Sequence, residues 1–225
     1  MKSLPSSSLP RQRFAIAAIL ISLRVLSHAD TFSFSGLNHP IPDGQASGFA
    51  DFETVSSSIH QIGSIEVSLN IVGNFNGDLY AYLQHGSALS VLLNRPGRTS
   101  FNPDGYDDSG FTITLNDFAA QGDIHNYRSV FTPSAGSPLT GAWQPDGRNV
   151  DPGTVLNTDS RTAMLSSFNS LDPNGTWTLF VADMAAGGTN MLSSWQLVIN
   201  PVPEPSPALL LLLGAFGASV RLKRR

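Results

Sequence analysis

The sequence predicts an all-β body, an antiparallel sandwich, with a short apolar helical segment at each end. Three observations carry this. Between the ends, apolar residues alternate with period two in several short runs, the spacing of half-buried strands. The chain's 20 glycines and 15 prolines punctuate those runs. No long stretch shows the 3.6-residue period of an amphipathic helix. Short strands joined by turn-rich loops pack as two facing sheets, and 225 residues hold one such domain plus processing segments.

In chain order, Arg11 and Arg13 lead into the uncharged run Phe14–Leu23, and small residues Ser27 and Ala29 follow. This is the pattern of a Sec-type signal peptide over residues 1–29, cut between Ala29 and Asp30. The run is short for a membrane span, and Arg24 interrupts its extension. Residues 30–58 are the N-terminal segment of the exported region, and residues 59–200 the sandwich. Ser64–Val72 puts Ile65, Val67, Leu69 and Ile71 on one face. Gly73–Gly77 is rich in turn formers, and Asp78–Leu83 turns Leu79, Ala81 and Leu83 inward, so the two runs are expected to pair as a hairpin. Phe111–Leu115 alternates again, as do Thr176–Val181 (Trp177, Leu179, Val181) and the last run (Trp195, Leu197, Ile199). Asn94–Asp108 and Thr132–Thr158 read as long surface loops.

Charge is segregated. The net charge is -4, yet every acidic residue lies between Asp30 and Glu204, while Asp30–Asn200 holds 16 acids, five arginines and no lysine. That balance of -11 excludes nucleic acid as a partner, because phosphate binding needs clustered Lys or Arg. It suits solubility or cation binding. The absence of cysteine removes disulfides, thiolate zinc sites and cysteine nucleophiles together.

The C-terminal stretch 201–225 has three parts. Pro201–Ser206 carries prolines at 201, 203 and 205, with a fourth at 207, which fix φ and remove donors; it is expected to be a stiff linker, neither helix nor central strand. Ala208–Val220 has no charge, and as a helix it would reach roughly 20 Å, short of a hydrocarbon core of about 30 Å. Arg221, Lys223, Arg224 and Arg225 then hold the end at the cytoplasmic face. Val202, Pro203, Glu204, Pro205 and Ser206, followed by that apolar helix and basic stop, resemble the PEP-CTERM sorting signal. The resemblance implies recognition by an exosortase in the inner membrane and processing near the Pro-Glu-Pro motif. Delivery to the cell surface or extracellular matrix of a Gram-negative bacterium would follow. The plainer reading is a simple membrane anchor.

Two stretches of the body, Ile62–Leu93 and Met164–Ile199, resemble the P domain, or Homo B domain, of subtilisin-like proprotein convertases. The matching marks are Gly77-Asp78-Leu79, Asp172-Pro-Asn-Gly-Thr-Trp177, Asp183 and Ser194-Trp195 with Leu197. The resemblance implies a jelly-roll sandwich of the galactose-binding-like class. The chain departs from the family at Gly73-Asn74, where a histidine is common, and at Gly187–Asn190, where an acidic turn is expected.

Serine hydrolysis needs a nucleophile, a histidine base and an acid. His39, His60, His85 and His125 are available, but there is no Gly-x-Ser-x-Gly elbow and no room for a subtilisin-like catalytic domain. Asp108-Ser-Gly110 reads as a turn. The chain is therefore expected not to be an enzyme. Calcium takes six to eight oxygen ligands, so Asp78, Asp104, Asp107, Asp108 and Asp183 are its candidate ligands, with solvated loops and turn acceptors as the alternative. No cofactor is required. Tyr80, Tyr82, Phe101, Tyr106 and Trp143 are candidate stacking platforms for sugars, whereas Trp177 and Trp195 belong to the core. The expected function is an exported binding or structural module linked to extracellular polysaccharide. The alternative is an accessory module for a protease supplied by another chain.

Overall fold

Successive strands mostly change sheet, the habit of a jelly-roll sandwich. The computed structural model describes residues 28–203. One sheet has five strands in the order β1 (Asp30–Ile41), β9 (Asn190–Pro201), β3 (Ile62–Val72), β6 (Phe111–Leu115) and β7 (Leu139–Trp143). The other has four, in the order β2 (Gln45–Val55), β8 (Gly175–Asp183), β4 (Leu79–His85) and β5 (Ala88–Asn94). Neighbours are antiparallel except β6 and β7, which run parallel.

The alternation places the core as expected. Ile65, Val67, Leu69 and Ile71 of β3 face inward from the larger sheet, beside Trp195, Leu197 and Ile199 of β9. Leu79, Ala81 and Leu83 of β4 face them from the smaller sheet, with Trp177, Leu179 and Val181 of β8. Each such residue is at most 3 % exposed, and burying a side chain of this size stabilises by about 1.5–3 kcal/mol.

The expected hairpin between Ser64–Val72 and Asp78–Leu83 does not form. β3 and β4 lie in opposite sheets, because the intervening turn carries the chain across the core instead of back along one sheet. Asn76 anchors that crossing. Fully buried, its side chain donates to Gly110 O (3.1 Å) and accepts from Gly110 N (2.7 Å). Both apolar faces then meet, which a hairpin within one sheet would not achieve.

The two long loops are not purely surface. Thr132–Thr158 contains β7 and fully buried Trp143, Asp146 and Val155. Its 146–147 segment hydrogen-bonds the free edge of β5, at Leu92 O and Val91 O. Asn94–Asp108 turns inward through Arg95, which is 6 % exposed. Residues 30–58 supply an edge strand to each sheet, β1 against β9 and β2 against β8. Pro201 closes β9 opposite Ile62, so the proline linker begins one residue later than expected. A strand terminus tolerates the missing donor.

Candidate ligand-binding face

The outer surface of the five-stranded sheet carries an open pocket of about 530 Å³. Its lining follows from register. Because successive side chains point to opposite faces, the residues between the core positions all project outward, and pairing aligns them across the strands. One row runs Ser33, Gln196, Ser68, Thr114, Ala142, and the next runs Ser35, Ser194, Asn70, Thr112, Thr140. All but Thr140 line the pocket, and no charged residue does. In a body of 16 acids and five arginines, that neutral lining is what distinguishes this face.

The two rows differ in how their polar groups are used. In the first, Gln196 Nε2 donates to Ser33 Oγ (2.8 Å), and the Ser68 and Thr114 hydroxyls share a 2.9 Å hydrogen bond. In the second, no hydrogen bond among the described residues engages the side chains of Ser35, Ser194, Asn70, Thr112 or Thr140. One row braces itself across neighbouring strands. The other is left open to water or a ligand. Gly141 of β7 lies at the rim with φ +100°, and a Cβ there would meet the Gln121 amide oxygen at 2.6 Å. Beyond the rows, Glu66 is the nearest charge along β3, and it accepts from Asn116 Nδ2 (2.8 Å).

The candidate calcium ligands are scattered over different partners. Asp78 lies 3.3 Å from Arg95 and is pushed up to about 6, burial outweighing the attraction of Arg95. Burial lowers Arg95 from the ordinary guanidinium range, so desolvation dominates both members of the pair. Asp183 accepts from Ala185 N (3.2 Å) and Asn190 Nδ2 (2.8 Å). Asp107 and Asp108 both pair with Arg128, and Asp108 also accepts from Tyr127 Oη (2.6 Å). The hydrogen bonds to Arg128 hold Asp107 below the usual carboxylate range. Asp104 contributes to the field at Asp78 and raises it further. Among the described residues, no group of three or more His, Asp or Glu is placed to hold a metal ion.

The aromatic candidates separate as well. Trp143 is fully buried and donates to Thr140 O (2.9 Å), so it is core and no platform. Tyr106 packs edge-on against Tyr127, with the Arg128 guanidinium over its ring. Phe101 is 97 % exposed at a loop tip. Tyr82 stacks on Phe180 at 4.9 Å with Tyr80 beside them, on the outer face of the four-stranded sheet. Trp177 and Trp195 are buried, as expected.

The histidines with bonded rings spend those bonds on structure. His125 Nδ1 lies 2.7 Å from Asp146, and its Nε2 lies 2.9 Å from Arg98 O. His85 reaches Thr176 O and Asp172 O while stacked on Trp177. No serine hydroxyl is among these partners. The two segments that depart from the P-domain pattern also touch, since Asn74 N donates to Asn190 Oδ1 (3.1 Å) and Thr189 N donates to Asn74 Oδ1 (3.2 Å).

Sequence reasoning missed the polar rows. Serines, threonines and amides at outward strand positions read as solvent face, and only pairing between Asn70 and Ser194 brings them side by side.

No family model and no curated protein matches the chain. Among solved structures, it is similar to the serine protease of Aeromonas sobria, at 14 % identity and a TM-score of 0.40, over 78 % of this chain and 26 % of that one. The same protease in complex with the chaperone ORF2 matches at 15 % identity and a TM-score of 0.39, over 76 % and 26 %. The chain thus spans about a quarter of the length of those matches. Likeness at this level carries no statement about chemistry.

Among the described residues, no helix is long and apolar enough to cross a membrane. Val202 and Pro203 are described, and Val202 N donates to Gln61 O (3.2 Å). Glu204, Pro205, Ser206, the apolar run, the basic stop Arg221, Lys223, Arg224 and Arg225, and residues 1–27 lie outside the described residues.

Proposed function

We propose that this protein is an exported, non-catalytic binding module of the P-domain type that holds extracellular polysaccharide on the outer face of its five-stranded sheet. The observation that carries the reading is an uncharged pocket in which rows of Ser, Thr, Asn and Gln side chains alternate with apolar residues such as Phe34 and Trp195. A ligand rich in hydroxyls and poor in charge matches it, since sugar hydroxyls both donate and accept, as do Ser and Thr. Fold alone does not establish sugar binding. A glycan-binding screen of the purified protein, with and without calcium, tests it. Retention of one or more polysaccharides in both conditions is expected. No retention of any glycan overturns the reading, and retention only with calcium returns the aspartates to the site.

Exosortase sorting from the inner membrane to the surface or matrix completes the proposal, on the strength of the Pro-Glu-Pro stretch, apolar run and basic stop. Exported material is expected to have an intact mass lacking residues 1–29 and the tail beyond the Pro-Glu-Pro region. A mature species that retains Arg225 would falsify the sorting reading.

One observation favours a second reading, an accessory role beside a serine protease supplied by another chain. The outer face of the four-stranded sheet carries Phe52, 67 % exposed, near the Tyr80, Tyr82 and Phe180 cluster. An exposed apolar patch of this kind suits protein docking.

A further inference from the structure

From the two polar rows we infer that the ligand is a neutral, extended polysaccharide chain lying across the strands from β1 to β7, hydrogen-bonded chiefly by the row with unused side chains. This rests on the polysaccharide reading above and adds the ligand's charge class, its direction and the residues that contact it.

Direction follows from spacing. Neighbouring strands lie about 4.8 Å apart, so the four members of that row that line the pocket, Ser35, Ser194, Asn70 and Thr112, span roughly 14 Å. Extended β-linked pyranose chains repeat at nearly the strand spacing. A chain laid across the sheet therefore meets a new polar side chain with each sugar. A chain laid along a strand would instead run out over Glu66.

Residue choice follows from hydrogen-bond use. Ser194, Asn70 and Thr112 sit side by side at the middle of the row, and their side chains hold no hydrogen bond within the protein among the described residues. Ser68 and Thr114 in the neighbouring row satisfy each other. Ligand contacts to the first group replace water, whereas contacts to the second must also displace an existing bond. The first group therefore discriminates, and the second holds the floor rigid.

Charge class follows from the surroundings. The pocket offers no cation to a carboxylate, and the body's balance of -11 repels one. Uronic-acid polymers are excluded on both counts.

The test is calorimetric titration of the protein with neutral β-1,4-linked gluco-oligosaccharides from disaccharide to hexasaccharide, and with oligogalacturonates of matching length. Affinity for the neutral series is expected to rise with length until the chain spans the row. Asn70→Ala is expected to weaken binding about tenfold, Ser68→Ala less, and Ser194→Trp, which fills the groove, to abolish it. These positions face outward, and circular dichroism of each variant confirms that the fold is kept. Phe52→Ser, on the opposite sheet, is expected to leave binding unchanged. Equal or tighter binding of oligogalacturonates overturns the charge class. Affinity that stops rising at the disaccharide, or an Asn70→Ala variant that binds like the parent, overturns the crossing geometry and leaves the polysaccharide reading standing. If the neutral gluco-oligosaccharides do not bind although the screen retains a polysaccharide, the crossing geometry is overturned and the polysaccharide reading stands. A screen retaining none defeats both claims.

Discussion

Replacing Asp146 with alanine is expected to destabilise the protein by about 3–5 kcal/mol, the cost of breaking a buried ion pair from one side. Asp146 has no exposed surface. Its carboxylate sits 2.7 Å from His125 Nδ1 and 3.1 Å from an Arg148 guanidinium nitrogen, and it accepts from Asn94 N (3.2 Å) and Arg148 N (3.3 Å). Truncation leaves His125 Nδ1 and Asn94 N without their buried acceptor, and strips Arg148 of one of two carboxylates. Asp123→Ala is the informative comparison. Asp123 also binds Arg148, at 2.7 Å, but is 17 % exposed, so water replaces part of what is lost and the expected cost is smaller. Urea unfolding midpoints compare them directly. Equal shifts would show that burial is not what makes Asp146 matter. Because residues 146–147 cap the edge of β5 by donating to Leu92 O and Val91 O, Asp146→Ala should also speed exchange of the Gly147 amide and raise the tendency to aggregate, as an uncovered sheet edge does.

That network also shows what was legible in advance. β3, β4, β6, β8 and β9 could be read from alternation because each buries one face only, and the tryptophans at 177 and 195 mark that face. β5, Ala88–Asn94, shows no alternation, since Val91, Leu92 and Leu93 are all buried where its pairing with β4 shifts register and its other edge bonds Gly147 and Ala163. A strand covered on both faces has no period to find. β7 is short and broken by Gly141, so it passed for loop. β1 alternates at Phe32 and Phe34 and then loses its register between Ser35 and His39. The site was less legible than the fold for a related reason. The acids that looked like ligands found arginines 17 to 21 residues away, Arg95 for Asp78 and Arg128 for Asp107 and Asp108. Those pairings depend on loop paths, which no local pattern encodes. The polar rows depend on register between strands more than 100 residues apart, such as Asn70 against Ser194.

Trp195→Ala is expected to cost about 3–5 kcal/mol as a large-to-small core change, and its effect should reach the proposed ligand face. Trp195 is 2 % exposed, packs on Phe34 at 4.4 Å, and donates through Nε1 to Asp51 Oδ2 at 2.6 Å. Asp51 belongs to β2 and Trp195 to β9, so this hydrogen bond ties one sheet to the other. Alanine opens a cavity and leaves a carboxylate between the sheets without its donor. Trp195→Phe keeps most of the packing and removes only the donor, for an expected about 1–3 kcal/mol. Ser194 and Gln196, its chain neighbours, project into the groove from the same strand. Loss of the anchor beneath them should loosen the floor, so glycan affinity is expected to fall in Trp195→Ala under conditions where the variant remains folded, and to be nearly kept in Trp195→Phe. Urea titration and calorimetric binding on the same samples separate the two effects. A Trp195→Phe midpoint as low as that of Trp195→Ala would mean that the hydrogen bond to Asp51, not the volume of the indole, holds the sheets in register.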